Sequence, residues 1–201
     1  MGLPLLARAQ VEEIRPDVAP TATPPPAAPA APPTVRVRYS RYRTSWYIGF
    51  GLGVGGGWVN NETSEGGAGL GFTVFKVGWV ARPWLLLGFE GSTWFRLEGD
   101  LLDSRWTQLL HYDLVATLFP GHDGGFYGKG GLGVGVAIVD RSVLGETVER
   151  KDTGADLKLG LGYEWQLLTA FNLGADLTYA LTVFDGGQAH DVTAQLTFTW
   201  Y

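Results

Sequence analysis

Two glycine runs have the spacing of a phosphate-cradling loop. Gly51-Leu-Gly53-Val-Gly55-Gly56 and Gly128-Lys-Gly130-Gly-Leu-Gly133 both satisfy G-x-G-x-x-G, a pattern in which backbone N–H groups and a helix N-terminus hold a pyrophosphate. That chemistry needs a strand before the glycines and a helix after them. Each run instead lies inside a stretch of alternating large apolar and small residues, and the first passes into the polar stretch Asn60-Asn-Glu-Thr-Ser64. Neither reads as a nucleotide site. His111 and Asp113, with Ser104 nearby, match a hydrolytic triad in composition, but nothing in the sequence fixes the geometry such a triad needs. A hydrogen bond inside the protein is the expected role of His111, and no catalytic residue is expected. The chain has no cysteine and 3 scattered histidines, so neither a metal site nor any other cofactor is expected.

The remaining chemistry is carried by charge. Glu90, Arg96, Asp113, Lys129, Asp156, Lys158, Glu164 and Asp176 fall on one parity of alternating segments, with His111 and a run of threonines. The opposite parity is almost free of charge. Period two means strands, because successive side chains point to opposite faces of a sheet. Such a pattern occurs eight times. In the first segment Trp46, Ile48, Phe50, Leu52 and Val54 share a face. The others cover roughly 68–80, 85–97, 106–119, 126–139, 153–165, 171–184 and 191–201.

The expected fold is all-β, an eight-stranded antiparallel up-and-down transmembrane β-barrel, since closure leaves no exposed strand edge. Charges of both signs on one face and apolar residues on the other make the lumen polar and the exterior apolar. A soluble lipocalin-like carrier has the inverse arrangement and is the least favoured reading. An arginine or lysine facing lipid at the bilayer midplane would cost about 2–4 kcal/mol, which accounts for the uncharged parity. Lys76 is the exception, because it shares the parity of Leu70, Phe72 and Val74. A bulge near Val74–Phe75 would return it to the lumen; without one it would have to snorkel.

Composition agrees. At 201 residues the chain has a one-domain length, and 17% charged residues lie below the roughly 25% of soluble domains. The net charge of −5 is opposite to the basic excess of nucleic-acid-binding domains. No run of 18 apolar residues is present, so a spanning helix is not expected. Trp46, Trp79, Trp84, Trp165 and Trp200 fall at one set of strand ends, and Trp58, Trp94 and Trp106 at the other. All are expected to form interfacial girdles.

The connections at 81–83, 120–125 and 166–170 read as tight turns. Those at 59–67, 98–105, 141–152 and 185–190 read as longer polar loops, whose acidic residues Glu62, Glu65, Asp100, Asp103, Glu146 and Glu149 are expected to be solvated tips. Bridging by divalent ions to lipopolysaccharide phosphates, or contact with a binding partner, is the alternative. Short periplasmic turns and longer external loops would place both termini in the periplasm.

Residues 1–9, with Ala7-Arg8-Ala9 in A-x-A form, read as the remnant of a signal peptide, with a plain disordered tail as the alternative. Residues 10–44 read as a disordered Pro/Ala-rich periplasmic linker, because repeated proline favours extended polyproline II. The basic stretch Arg36-Val-Arg38-Tyr-Ser-Arg41-Tyr-Arg43 would either meet anionic headgroups or form a solvated flank. Residues 45–201 are the expected barrel.

On this alternation and the closing strand Val192-Thr-Ala-Gln-Leu-Thr-Phe-Thr-Trp-Tyr201, the chain resembles the small eight-stranded outer-membrane barrels of the OmpA/OmpX type. The resemblance implies a bacterial outer-membrane location and recognition of the last strand by the barrel-assembly machinery, although here the outward parity ends on Trp200, one residue before the terminus. It also implies outer-membrane lipids and lipopolysaccharide as surroundings. Lipid A deacylases of similar architecture carry a His-x-Ser pair, which His111, His122 and His190 all lack. The function expected is structural or interactive, within the envelope and with no nucleic-acid partner. A narrow porin-like channel, lined by Gly49, Gly51, Gly53, Gly131, Gly133 and Gly135, is the alternative.

Overall fold

The computed structural model describes residue 43 and residues 45–60, 64–100, 103–121, 125–143 and 146–201. The expected signal remnant, all but Arg43 and Ser45 of the segment before β1, His122, and the side chains of Glu62, Glu65, Asp100, Ser104, Asp103 and Glu146 lie outside the described residues. The strands are β1 (Trp46–Asn60), β2 (Ser64–Arg82), β3 (Leu85–Asp100), β4 (Asp103–Leu118), β5 (Phe126–Val143), β6 (Glu146–Leu168), β7 (Phe171–Phe184) and β8 (Gly187–Trp200). Each pairs antiparallel with its chain neighbour, and β1 closes on β8 from Ile48↔Trp200 to Asn60↔Gln188. No backbone edge is left open along that seam.

Alternation places the side chains as expected. In β8, Asp191, Thr193, Gln195, Thr197 and Thr199 are buried while Val192 and Leu196 are exposed. The β2 ladder slips between Thr73 and Phe75. Val74 is exposed, and Phe75 packs on the outward ring of Phe89 at 5.6 Å. Two successive outward residues reset the phase, so Lys76 turns into the lumen beside Gly49. The expected bulge is there, at the expected place.

The polar connections differ from expectation. Residues read as loops at 59–67, 98–105, 141–152 and 185–190 are mostly strand, and β6 runs for 23 residues. Only residues 61–63, 101–102, 144–145 and 185–186 separate the strands there, whereas 119–125 at the other end is a longer connection. Apolar alternation marks only the part of a strand that needs an apolar exterior. A hydrogen-bonded hairpin continues into water without it. The end carrying Trp46 and Trp200 is called the terminal end below, and the other the distal end.

Candidate functional site

The lumen gathers most of the expected charged residues into three layers, and the strand register explains how. Cα pairing runs Lys76↔Glu90, Glu90↔Asp113, Asp113↔Gly133, Gly133↔Asp156 and Asp156↔Thr182. Because barrel strands are tilted, this one row of paired residues climbs along the barrel and carries carboxylates on β3, β4 and β6, with Glu90 and Asp113 at mid-height and Asp156 further toward the distal end. Like charges directly opposite repel, so cations from neighbouring rows must reach in.

In the middle layer they do. The Lys158 ammonium, wholly shielded from solvent, lies 2.7 Å from Asp113 and 3.1 Å from Glu90 and donates to Ser92 Oγ at 2.7 Å. Lys129 donates to Asp176 at 3.0 Å and approaches Glu90 at 3.3 Å. A cavity of about 20 Å³ among Lys76, Glu90, Lys129 and Asp176 is room for about one water molecule.

The second layer lies distally. His111 Nδ1 is 3.0 Å from Asp156 Oδ1, its Nε2 is 2.8 Å from Asp191 Oδ2, and Thr182 donates to Asp156 at 2.6 Å. His111 thus ties β4 to β6 and β8 across the barrel, the internal role expected of it. Its carboxylate partners are not the neighbouring Asp113. Beyond this, Val59, Trp94, Leu109, Ala137, Phe184 and Ala189 form a buried apolar cluster. A Cβ on Gly57 would stand 2.6 Å from the Trp94 ring, so the glycine there makes room for the indole.

The third layer closes the terminal end. Tyr47, Leu86, Phe119 and Tyr127 cluster with Tyr201 against them. Glu164 accepts from Tyr201 Oη at 2.9 Å and from Asn172 Nδ2 at 3.1 Å. Arg43 is buried here, 3.8 Å from Glu164, with its guanidinium carbon 3.4 Å from the centre of the Phe119 ring.

Two expectations are corrected. Trp94 is no girdle residue: it is completely buried in the distal lumen, because it shares the parity of Glu90 and Ser92 and not that of Phe95. Arg96 is no member of the network: it pairs with Glu98 and with the Gly66 carbonyl in partly exposed surroundings. It lies distal to Trp94, which separates it from the buried carboxylates. Glu90, Asp113, Lys129, Lys158 and Asp176 form one connected group, while Asp156 and Glu164 belong to the layers on either side. Sequence reasoning missed Asp191 and Arg43. Asp191 was legible, since it has the inward parity of Thr193–Thr199. Arg43 was not, because it precedes any alternation; it is neither a solvated flank nor on a membrane surface.

Outside, Trp46, Trp58, Trp79, Trp84, Trp106, Trp165 and Trp200 are all exposed, near strand ends, among exposed Leu, Val and Phe. Trp46 and Trp79 meet edge to face at 6.4 Å, and the Phe171 ring lies tilted against Trp200 at 4.9 Å. Among the described residues no group of His, Asp and Glu is arranged to hold a metal ion.

No protein-family model matches the sequence, and no curated protein does. Solved structures do. Ail, the attachment invasion locus protein of Yersinia pestis, in complex with the heparin analogue sucrose octasulfate, superposes with a TM-score of 0.57 at 14% identity, over 78% of this chain and 99% of that one. The Neisserial surface protein NspA superposes with a TM-score of 0.51 at 8% identity, over 76% of this chain and 95% of that one. The fold is that of the small outer-membrane barrels. These likenesses are of fold, and the polar lumen inside an apolar wall is what a membrane-spanning barrel requires. The same arrangement turns the carrier reading inside out, since a carrier needs an apolar lumen.

Proposed function

We propose that the protein is an integral outer-membrane barrel that is closed to solutes and acts through its surfaces, in a structural or interaction role in the envelope. The carrying observation is Lys158, shielded from solvent and held between Asp113 and Glu90. An ammonium so engaged fills the lumen, where eight strands leave room for little beyond side chains. The apolar Trp94 cluster on one side and the Phe119–Tyr201 cluster on the other close both ends.

The termini lie on the periplasmic side in this reading. Its support is the charge of the distal rim, where Glu98, Arg105, Asp140, Glu149, Arg150, Lys151 and Asp152 stand on strands extending past Trp106. That mixed-charge rim is where an external partner would be met. The exterior contacts outer-membrane lipids and lipopolysaccharide, and β8 engages the barrel-assembly machinery.

The test is electrophoretic mobility of detergent-refolded protein, unheated against boiled, followed by planar-bilayer recording. A faster unheated band and a silent bilayer are expected. Discrete conductance steps would replace this reading with the channel. Full solubility without detergent would remove the membrane from it.

A further inference from the structure

The terminal mouth is built like a receptor for a planar cation. Phe119 offers a ring face, Glu164 a carboxylate, and Tyr47, Tyr127 and Tyr201 surround them; Phe119 and Tyr127 lie 5.3 Å apart and Tyr47 and Tyr201 6.1 Å apart. Such a ring face attracts cations through its quadrupole, and a guanidinium also stacks on it as a plane. The Glu164 oxygens are aimed by Tyr201 and Asn172. The lumen cavity opens beside this seat and shares Tyr47, Tyr127, Glu164 and Tyr201 with it.

The chain enters the seat by an unusual route. Ser45 has φ 77°, in the left-handed region that residues other than glycine rarely occupy. Val80 N donates to the Ser45 carbonyl at 2.9 Å. The turn is thus pinned to β2 while Arg43 is directed inward, 3% exposed.

We propose that the terminal mouth is a guanidinium-binding pocket, with Phe119 as platform and Glu164 as counter-ion, and that Arg43 is its intramolecular ligand. Arg43 so latches the chain before β1 onto the barrel. Withdrawing it leaves a seat for an alkylguanidinium, free or borne by a peptide arginine. The inference rests on this end of the barrel and not on the membrane reading, so the bilayer recording above does not bear on it.

Arg43→Ala tests it, with ethylguanidinium as probe and equimolar urea, its uncharged planar analogue, as control. The readout is the temperature at which the fast-migrating folded band is lost. The expected result is a lowered midpoint for Arg43→Ala, restored saturably by millimolar ethylguanidinium and not by urea. Wild type, its seat occupied, should not respond, and Arg43→Ala/Glu164→Gln should not be restored. A synthetic peptide of residues 36–45 added to Arg43→Ala separates the sources. Restoration by ethylguanidinium alone assigns a free cation, and restoration by both assigns a chain-borne arginine as well. If Arg43→Ala folds only poorly, its folding yield with and without the probe is read in the same way. An unchanged midpoint, no restoration by ethylguanidinium, equal restoration by urea, or restoration that survives Glu164→Gln would each overturn the proposal.

Discussion

Replacing Lys158 by methionine should be among the costliest single changes in this barrel. Methionine keeps the apolar stem of lysine out to Cε but lacks the charged group. The Lys158 ammonium is 2.7 Å from Asp113, 3.1 Å from Glu90 and 2.7 Å from Ser92, in a residue with no solvent exposure. Glu90 would keep Lys129 at 3.3 Å, so the heaviest effect falls on Asp113, which loses the ammonium neutralising it. Breaking a buried pair from one side costs about 3–5 kcal/mol, because the remaining charge stays in a low-dielectric interior. With a urea dependence of about 2 kcal/mol per molar, the unfolding midpoint should fall by about 2 M. The assay is equilibrium urea unfolding of protein refolded into phospholipid vesicles, followed by tryptophan fluorescence and by the unheated gel band. Lys158→Met/Asp113→Leu should recover most of the loss, since a buried pair and a packed apolar pair are often of similar worth. A midpoint change under about 0.5 M for the single variant would refute the reasoning. It would mean that Asp113 is solvated or neutralised without help from Lys158.

Arg96→Ala should change stability by less than about 1 kcal/mol, because its pair with Glu98 is partly exposed; the same urea titration separates it from Lys158. Trp94→Ala should cost about 3–5 kcal/mol, and bilayer recordings of the variant report whether removing the distal plug opens the lumen. Leu114→Arg puts a charge on a residue that is 72% exposed on the outer wall. It should lose about 2–4 kcal/mol in vesicles, with a much smaller effect in detergent, and equal losses in both would argue against a lipid-facing wall. Ser45→Gly removes the side chain from a left-handed position and should stabilise the barrel by about 1 kcal/mol, measured as a raised urea midpoint.

Period two alone was enough to assign strands, their number, a polar interior and an apolar exterior, because side-chain direction in a strand is a local property. It also located the β2 bulge, since a lone lysine on an apolar parity demands a phase change somewhere between Val74 and Lys76. Parity applied without exception would have placed Trp94 inside and added Asp191 to the lumen; those were errors of reading, not missing information. The partners within the lumen were not legible. Glu90 meets Lys158 because β3, β4, β5 and β6 are staggered by a particular register, and register is set jointly by every ladder in a closed barrel. His111 has Asp113 two residues away yet lies between Asp156 and Asp191, on strands that approach it only across the lumen. Arg43 shows the limit most clearly. A basic stretch before the first strand carries no periodicity, and the burial of Arg43 over Phe119 depends on a turn at Ser45 and on aromatic rings gathered from the starts of β1 and β5 and from just past the ends of β4 and β8. Direction is written residue by residue; who meets whom is decided only when the sheet closes.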